Sequence, residues 1–214
     1  MKIFPRLLAA ASLLLLAACV PRTAVRLQGD AGLLGEQQAR ERLLAGVDHW
    51  TLQGRLGVSD GKNSGSGDLT WTQDGDRYEF VVRAPVTGKS FRLSGGAQGA
   101  LLEGMDGGPL HGDDAESLMH KALGWEVPLR ELRAWVLGLR ADAGPAELSF
   151  GNDRLPSLLQ QDGWSVDYRE WDATRQPPLP KKVYAQKPPY KVRLSVESWQ
   201  MGKGGEQGVG NGEH

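Results

Sequence analysis

The sequence predicts a mainly β fold with α (α+β): a strongly curved, open antiparallel sheet, an incomplete barrel, with about three helices packed in its concave face. Three observations predict it. Apolar and polar residues alternate with period two along roughly ten short segments separated by turn residues. Three other segments carry apolar residues at helical spacing. The 29 glycines among 214 residues are about twice the usual share and supply many turns. Each strand has one apolar face, which has to be buried, and helices laid inside a curved sheet bury it. Such a sheet need not be filled by its own side chains, so a lipid-sized cavity is compatible with the pattern.

The chain begins with an expected lipoprotein signal peptide over residues 1–18. Lys2 and Arg6 precede an apolar run from Leu7 to Ala18, broken only by Ser12. A membrane span needs about 20 residues, so the run fits a secretory signal instead. It ends in Leu16-Ala17-Ala18-Cys19, and Cys19 is the single cysteine of the chain. Small residues before that cysteine resemble the lipobox of bacterial lipoproteins. The resemblance implies a diacylglyceryl group on the Cys19 thiol, cleavage before Cys19, and an acyl group on its new amine. Lipoproteins kept at the inner membrane usually have Asp next. Val20 stands there, so the expected location is the outer membrane of a Gram-negative bacterium, lipid-anchored and facing the periplasm.

Residues 19–32 are expected to be the acylated cysteine and a flexible tether. A domain follows over residues 33–200. It opens with a helix from Leu33 to Val47, with Leu34, Ala39, Leu43, Leu44 and Val47 near one face and Gln37, Arg40 and Glu41 on others. From Trp50 to Ser59 the period becomes two, with Trp50, Leu52, Gly54, Leu56 and Val58 on one side. Residues 60–65 form a turn cluster, Leu69 and Trp71 mark a second strand, and Asp74-Gly75-Asp76 signals a hairpin. Strands are expected at Tyr78–Ala84, from Ser90 to Leu93, and around Leu101-Leu102 and Leu110. The pattern then changes. Asp113-Asp114 can cap a helix carrying Leu118, Met119, Ala122 and Leu123. A second helix starts near Pro128 with Leu129, Leu132, Trp135, Val136 and Leu139, and Gly138 ends it. Strands resume at Ala146–Phe150, Trp164–Trp171, Lys182–Gln186 and Lys191–Trp199. Pro177-Pro178-Leu179-Pro180 reads as an extended connector. Residues 201–214 are Gly-rich and read as a disordered tail.

Enzyme chemistry finds no support in the sequence. A formal net charge of −1 gives no basic field for nucleic acid. One cysteine excludes a disulfide framework and multi-cysteine metal sites. His111 lies near Asp113 and Asp114, where helix capping is a sufficient account, and His120 reads as a rim residue. No H-E-x-x-H, G-x-S-x-G, P-loop or G-x-G-x-x-G occurs. Lys181, Lys182, Lys187 and Lys191 form a modest patch, read by default as a solvated face, with lipid headgroup contact as the alternative. No metal and no cofactor other than the covalent lipid on Cys19 is expected. Two features remain. Seven tryptophans are many for this length, and Trp builds walls as well as cores. In the loop Ala84-Pro85-Val86-Thr87-Gly88-Lys89, Val86 sits near a hairpin tip. There it either folds back on the sheet or stands exposed.

Several of these segments, in their order and spacing and with the lipobox, resemble the LolB family of outer-membrane lipoprotein receptors. They are Trp50, Leu52, Gly54-Arg55-Leu56 and Val58; Asp113-Asp114-Ala115-Glu116; Leu123 to Leu129; Leu132-Arg133 with Trp135 to Gly138; Gly163-Trp164, Val166 and Tyr168; and Val192 with Leu194 to Trp199. The likeness runs from about residue 33 to residue 199. It implies an open curved sheet around a cavity for acyl chains, and a receptor that accepts acylated lipoproteins from the periplasmic carrier LolA and inserts them into the inner leaflet of the outer membrane. It implies no catalysis, with LolA, client lipoproteins and outer-membrane phospholipid as partners and a monomer as the working unit. The family's exposed loop, Asn-Pro-Leu-Gly, falls on Ala84-Pro85-Val86-Thr87, so Pro85 and Val86 become the membrane-delivery loop, with Val in place of Leu. The expected wall of the acyl cavity is Leu52, Leu56, Leu69, Trp71, Phe80, Val82, Phe91, Leu93, Leu118, Leu132, Trp135 and Val136. Two other functions fit the same pattern: a structural lipoprotein docked on an envelope assembly, and a periplasmic sensor of lipids or lipoproteins.

Overall fold

The computed structural model describes residues 24–85 and 88–202. These residues form one antiparallel sheet of twelve strands and three helices. The strands are β1 Leu27–Gln28, β2 His49–Ser59, β3 Ser64–Asp74, β4 Arg77–Arg83, β5 Ser90–Gly96, β6 Gly99–Glu103, β7 Leu110–Gly112, β8 Ala146–Phe150, β9 Pro156–Gln161, β10 Trp164–Asp172, β11 Leu179–Lys187 and β12 Tyr190–Met201. The helices are α1 Ala31–Leu44, α2 Ala115–Leu123 and α3 Leu129–Trp135. Strand order is β1-β8-β9-β10-β11-β12-β2-β3-β4-β5-β6-β7, so two meanders join where β12 pairs with β2. The two end strands, β1 and β7, do not pair with each other, and the sheet stays open.

The alternation read from the sequence is the alternation of burial. Along β2, Trp50, Leu52, Gly54 and Val58 are buried, while Gln53 and Arg55 are exposed. Val192, Leu194 and Val196 of β12 repeat the pattern beside them. Gly54 is needed where these strands meet. A Cβ there would lie 2.2 Å from the Ser195 carbonyl oxygen, beside the register shift between Val196 and Ser198.

Several elements differ from the expectation. β9 was not foreseen. Pro156 opens it, and Leu158-Leu159-Gln160-Gln161 does not alternate in polarity, yet its backbone is paired on both sides by β8 and β10. Leu27 and Gln28, assigned to the tether, pair with Phe150 and Ser149. Arg26 adds hydrogen bonds to the Ser157 carbonyl and to Asp167. β11 begins at Leu179, inside the expected proline connector, because Leu179 and Pro180 pair with Asp172 and Trp171. Met201 belongs to β12, and the Gly202 N–H donates to the His49 carbonyl at 2.8 Å. The remaining tail, residues 203–214, lies outside the described residues.

α1 turns in a face rotated from the expected one. Leu44 is buried as expected and Leu34 is half-buried, but Leu33, Gln37 and Arg40 fill the rest of the inner face, while Ala39 is exposed and Leu43 is 70% exposed. The Asp30 side chain caps α1 by accepting from Leu33 N–H at 2.8 Å. The rotation follows from what lies beneath. Past α3 the chain leaves the carbonyls of Leu137 and Gly138 free of helical partners. Arg40 donates to Gly138 O at 2.8 Å, to Leu137 O, and to Pro178 O at 2.7 Å. Gln37 donates to Gly138 O at 3.0 Å. The guanidinium also lies 4.9 Å from the Trp171 ring centre. Burial lowers the Arg40 pKa to about 10, which leaves it charged at neutral pH. Nearby, burial raises the Glu41 carboxyl, but hydrogen bonds from Arg140 and Gln37 outweigh that and hold it below the usual range.

Arg40→Met removes three hydrogen bonds donated by a buried cation; the Leu137 and Pro178 carbonyls lose that donor, while Gly138 O keeps the Gln37 amide. The substitution is expected to cost about 3 kcal/mol. Gly138→Ala, at φ +72° with a Cβ 2.4 Å from the Trp171 ring, should cost about 2 kcal/mol. Urea unfolding of the chain from Val20 onward checks both; every described strand and helix lies within it.

Candidate functional site

The concave face holds a cavity of about 170 Å³ whose lining is almost entirely carbon. Its sheet wall is set by register. Leu69 pairs with Val82 and Trp71 with Phe80 across β3 and β4. Phe80 in turn meets Leu93, and Val82 meets Phe91, across β4 and β5. Period-two alternation puts all six on the inner face, and Leu56 from β2 joins them. The opposite wall is helical: Met119 and Leu123 of α2, Trp125 and Val127 of the linker, and Leu129 and Leu132 of α3.

Glycine shapes one end of the cavity. Gly65 and Gly67 share the face of Leu69 and Trp71, but they place no side chain there. The Trp125 indole takes the space, 3.0 Å from where a Gly65 Cβ would stand. Trp71 is held in place at the other end. Its ring N–H donates to the Gln73 side-chain oxygen at 3.2 Å, and the Gln73 amide donates to the carbonyls of Gly75 and Arg77. Phe80 stacks on Trp71 with ring centres 4.4 Å apart.

Of the expected wall residues, Leu56, Leu69, Trp71, Phe80, Val82, Phe91, Leu93 and Leu132 line this cavity. Leu52, Leu118, Trp135 and Val136 do not; they are filled core. Leu52 sits in register with both Trp71 and Trp199, where Trp50 packs edge-on against the same two rings. The Trp135 ring N–H donates to Gln161 at 3.1 Å, and its ring packs near Trp164. Val136 caps the end of α3. Leu118 packs on the bare Gly112 backbone. Trp125 and Val127 were missed as wall residues, because the linker between α2 and α3 has no periodicity; an apolar pair between two helix signals was the available clue.

The other expectations are placed as follows. Ala84 lines the cavity, and Pro85 beside it is exposed. The loop closes on itself, with Ala84 N–H donating to Lys89 O and Gly88 N–H to Ala84 O. Val86, the centre of the expected delivery loop, lies outside the described residues, as does Cys19. Lys181 and Lys182 pair with Glu170, and Lys187 with Glu126. Asp114 caps α2, and hydrogen bonds from Ser117 lower its pKa. Among the described residues no three His, Cys, Asp or Glu side chains come together to hold a metal ion. Among them no helix is long and apolar enough to cross a membrane.

Wall and core separate in a mutational test. Leu52→Ala should cost about 2–5 kcal/mol of stability and leave the affinity for a fluorescent fatty acid within twofold. Phe91→Ala, at a half-buried wall position, should cost about 1 kcal/mol and change that affinity several-fold. Urea titration and probe titration on the same samples check both.

A family model described as Outer membrane lipoprotein LolB matches residues 48–199. The outer-membrane lipoprotein LolB of Xanthomonas campestris pv. campestris (strain B100) is 41% identical over 170 residues, covering 77% of this chain and 78% of the relative. That of Xylella fastidiosa (strain Temecula1 / ATCC 700964) is 32% identical over 181 residues, covering 83% of each. Among solved structures, a LolA superfamily protein from Nitrosomonas europaea matches with a TM-score of 0.50 and 8% identity, covering 78% of this chain and 94% of that one. That likeness is one of fold, an open antiparallel sheet around helices. With the curved sheet, the apolar cavity and relatives of this identity along most of its length, the chain belongs to the LolB family of outer-membrane lipoproteins.

Proposed function

We propose that this outer-membrane lipoprotein is a lipoprotein localisation receptor whose cavity takes the acyl chains of a client lipoprotein from a soluble LolA-type carrier. It then releases them into the inner leaflet of the outer membrane. The observation that carries the reading is the carbon-lined cavity of about 170 Å³ between sheet and helices. Such contacts are non-directional and accept chains of varied length. An acyl chain left in water costs ~0.8 kcal/mol for each CH₂, which amounts to tens of kcal/mol for three chains. The client therefore has to pass from cover to cover.

The resting cavity is too small for that cargo. An apolar cavity of about 150 Å³ takes one benzene, so 170 Å³ covers only part of one chain. Room for three chains comes from moving α2 and the linker off the sheet. The polar ties on that segment are few: Glu126 meets Lys187 at 3.6 Å at the surface, and half-buried Glu116 accepts from the Arg130 backbone N–H at 3.1 Å and from its guanidinium at 3.3 Å. In this reading Cys19 carries the anchor, and the loop at Pro85 and Val86 touches the bilayer during release. Release needs no group other than the chain and its lipid.

The test mixes the chain from Val20 onward with LolA-type carrier already holding an acylated client, without ATP, and asks by co-purification where the client ends. Transfer to this protein is the expected result. A client that stays on a carrier competent with another acceptor sinks the proposal. In a second step, liposomes bearing the full-length protein are offered the same complex. Val86→Glu should still take the client but release it to the bilayer at least tenfold more slowly, measured by flotation.

A further inference from the structure

We propose that a second pocket receives the polar head of the cargo: the ester- and amide-linked acyl-cysteine and the first peptide units after it. The bound acyl tails then point toward the 84–89 loop. This rests on the acyl-chain reading of the first cavity.

The second pocket has a volume of about 380 Å³. It shares Trp71, Phe80 and Leu129 with the acyl cavity, and these three form the partition between them. The two compartments lie at opposite ends of β3 and β4. The acyl cavity reaches Ser66 and Ala84, beside the 84–89 loop. The second pocket reaches Asp76 in the β3–β4 turn and Ala97 in the β5–β6 turn, at the far ends of the same strands.

Their linings differ in kind. The first is carbon; the second adds Asp76, Asp114 and Glu116 with Arg130 and Arg133. A triacylated lipoprotein is divided in the same way, with saturated tails joined to a compact head of carbonyls and peptide N–H groups. Guanidinium N–H groups can donate to the head's ester and amide carbonyls, and carboxylates can accept from its peptide N–H groups. Some of these side chains exchange at little loss: Arg133 and Asp76 approach only to 3.8 Å, and the Arg130 side chain is 85% exposed. Asp114 stays on the Ser117 N–H as the cap of α2, and Glu116 on the Arg130 backbone N–H at 3.1 Å, so Asp76 is the carboxylate most open to a ligand. Three carboxylates against two guanidiniums disfavour a phosphate head. The pocket therefore fits an acylated peptide better than a phospholipid.

The partition is suited to a junction between tail and head. Trp71 is held rigidly through Gln73, and Leu129 stands on the helix opposite it. An acyl chain passing between them keeps apolar contact along its whole length. It places its carboxyl end where the first polar side chains begin. The client polypeptide then leaves through the Asp76–Ala97 mouth, and the tails meet the bilayer from the loop end.

The test uses the chain from Val20 onward and three probes: a synthetic triacyl-cysteinyl peptide, free palmitate and dipalmitoyl-phosphatidylglycerol. Ala97→Trp fills the second pocket from an exposed turn. It should weaken the peptide probe at least tenfold and leave palmitate within twofold. Arg133→Gln, which adds no volume, should weaken the peptide probe about threefold with palmitate again unchanged. Far-UV circular dichroism and the urea midpoint should match the parent for both. The head assignment is overturned if the peptide probe is unaffected by both changes, or if palmitate falls in step with it. A phosphatidylglycerol probe that responds to Ala97→Trp as the peptide does overturns the choice of peptide over phospholipid. If neither palmitate nor the peptide binds the parent chain, the acyl-cavity reading fails first and the head site with it.

Discussion

The structure depends on a mismatch of lengths. Strands β2 and β3 have eleven residues each, about 36 Å when extended. Their apolar faces have to be covered, and what covers them is α2, with nine residues, and α3, with seven. Helices of that size are about 13 and 10 Å long. Side chains fill the end opposite Gly65, where Trp50, Trp71 and Trp199 meet. Toward the Gly65 end the helices give out and the linker takes over the cover: Trp125 lies over Gly65, where glycines on the inner face supply no side chain, and a cavity is left beside it.

The cover is fastened unevenly. α3 is fixed from below, because Arg40 and Gln37 bind the carbonyls just after it and Trp171 packs against the Gly138 turn. Breaking that arrangement would leave a buried cation without partners. α2 and the linker have no comparable tie. Asp114 caps the start of α2 and Gly124, at φ +70°, ends it, while the ion pairs to Arg130 and Lys187 are at the surface. One fixed helix beside one lightly held helix gives a cavity that can widen while the sheet and its core stay intact.

The strands were legible because one face of the sheet is wet, and alternation is the direct record of that. The helical insertion was legible from Asp114, Pro128 and Gly138. The face of α1 was not: apolar spacing pointed to Leu34 and Leu43, and the structure buries Gln37 and Arg40 because carbonyls more than 95 residues away need donors. No local pattern records such a partner. β9 was hidden for a related reason, since both its edges are paired by backbone and its side chains carry no alternation. Within the site, sequence placed Leu69, Trp71, Phe80, Val82 and Phe91 on one face but could not separate them from Leu52 or Trp135. Wall and core ask for the same residue types. What separates them is whether the facing helix reaches that far, and helix reach is a property of the assembled fold.

The same uneven cover bears on direction. Widening the cavity, as proposed, would uncover more of Met119, Leu123 and Trp125; they are already partly exposed, so each would cost less than the about 1.5–3 kcal/mol of a fully buried side chain. In the proposed transfer each CH₂ of cargo brought under cover would return ~0.8 kcal/mol, so a part of one chain would offset the opening and each further chain under cover would add to the affinity. A bilayer covers the same chains without any opening cost. On the proposed reading, release into it would be favoured by whatever energy is stored in moving α2 and the linker, about tenfold in equilibrium constant for each 1.4 kcal/mol. A receptor whose cavity stood permanently open would hold its cargo more firmly and deliver it less readily.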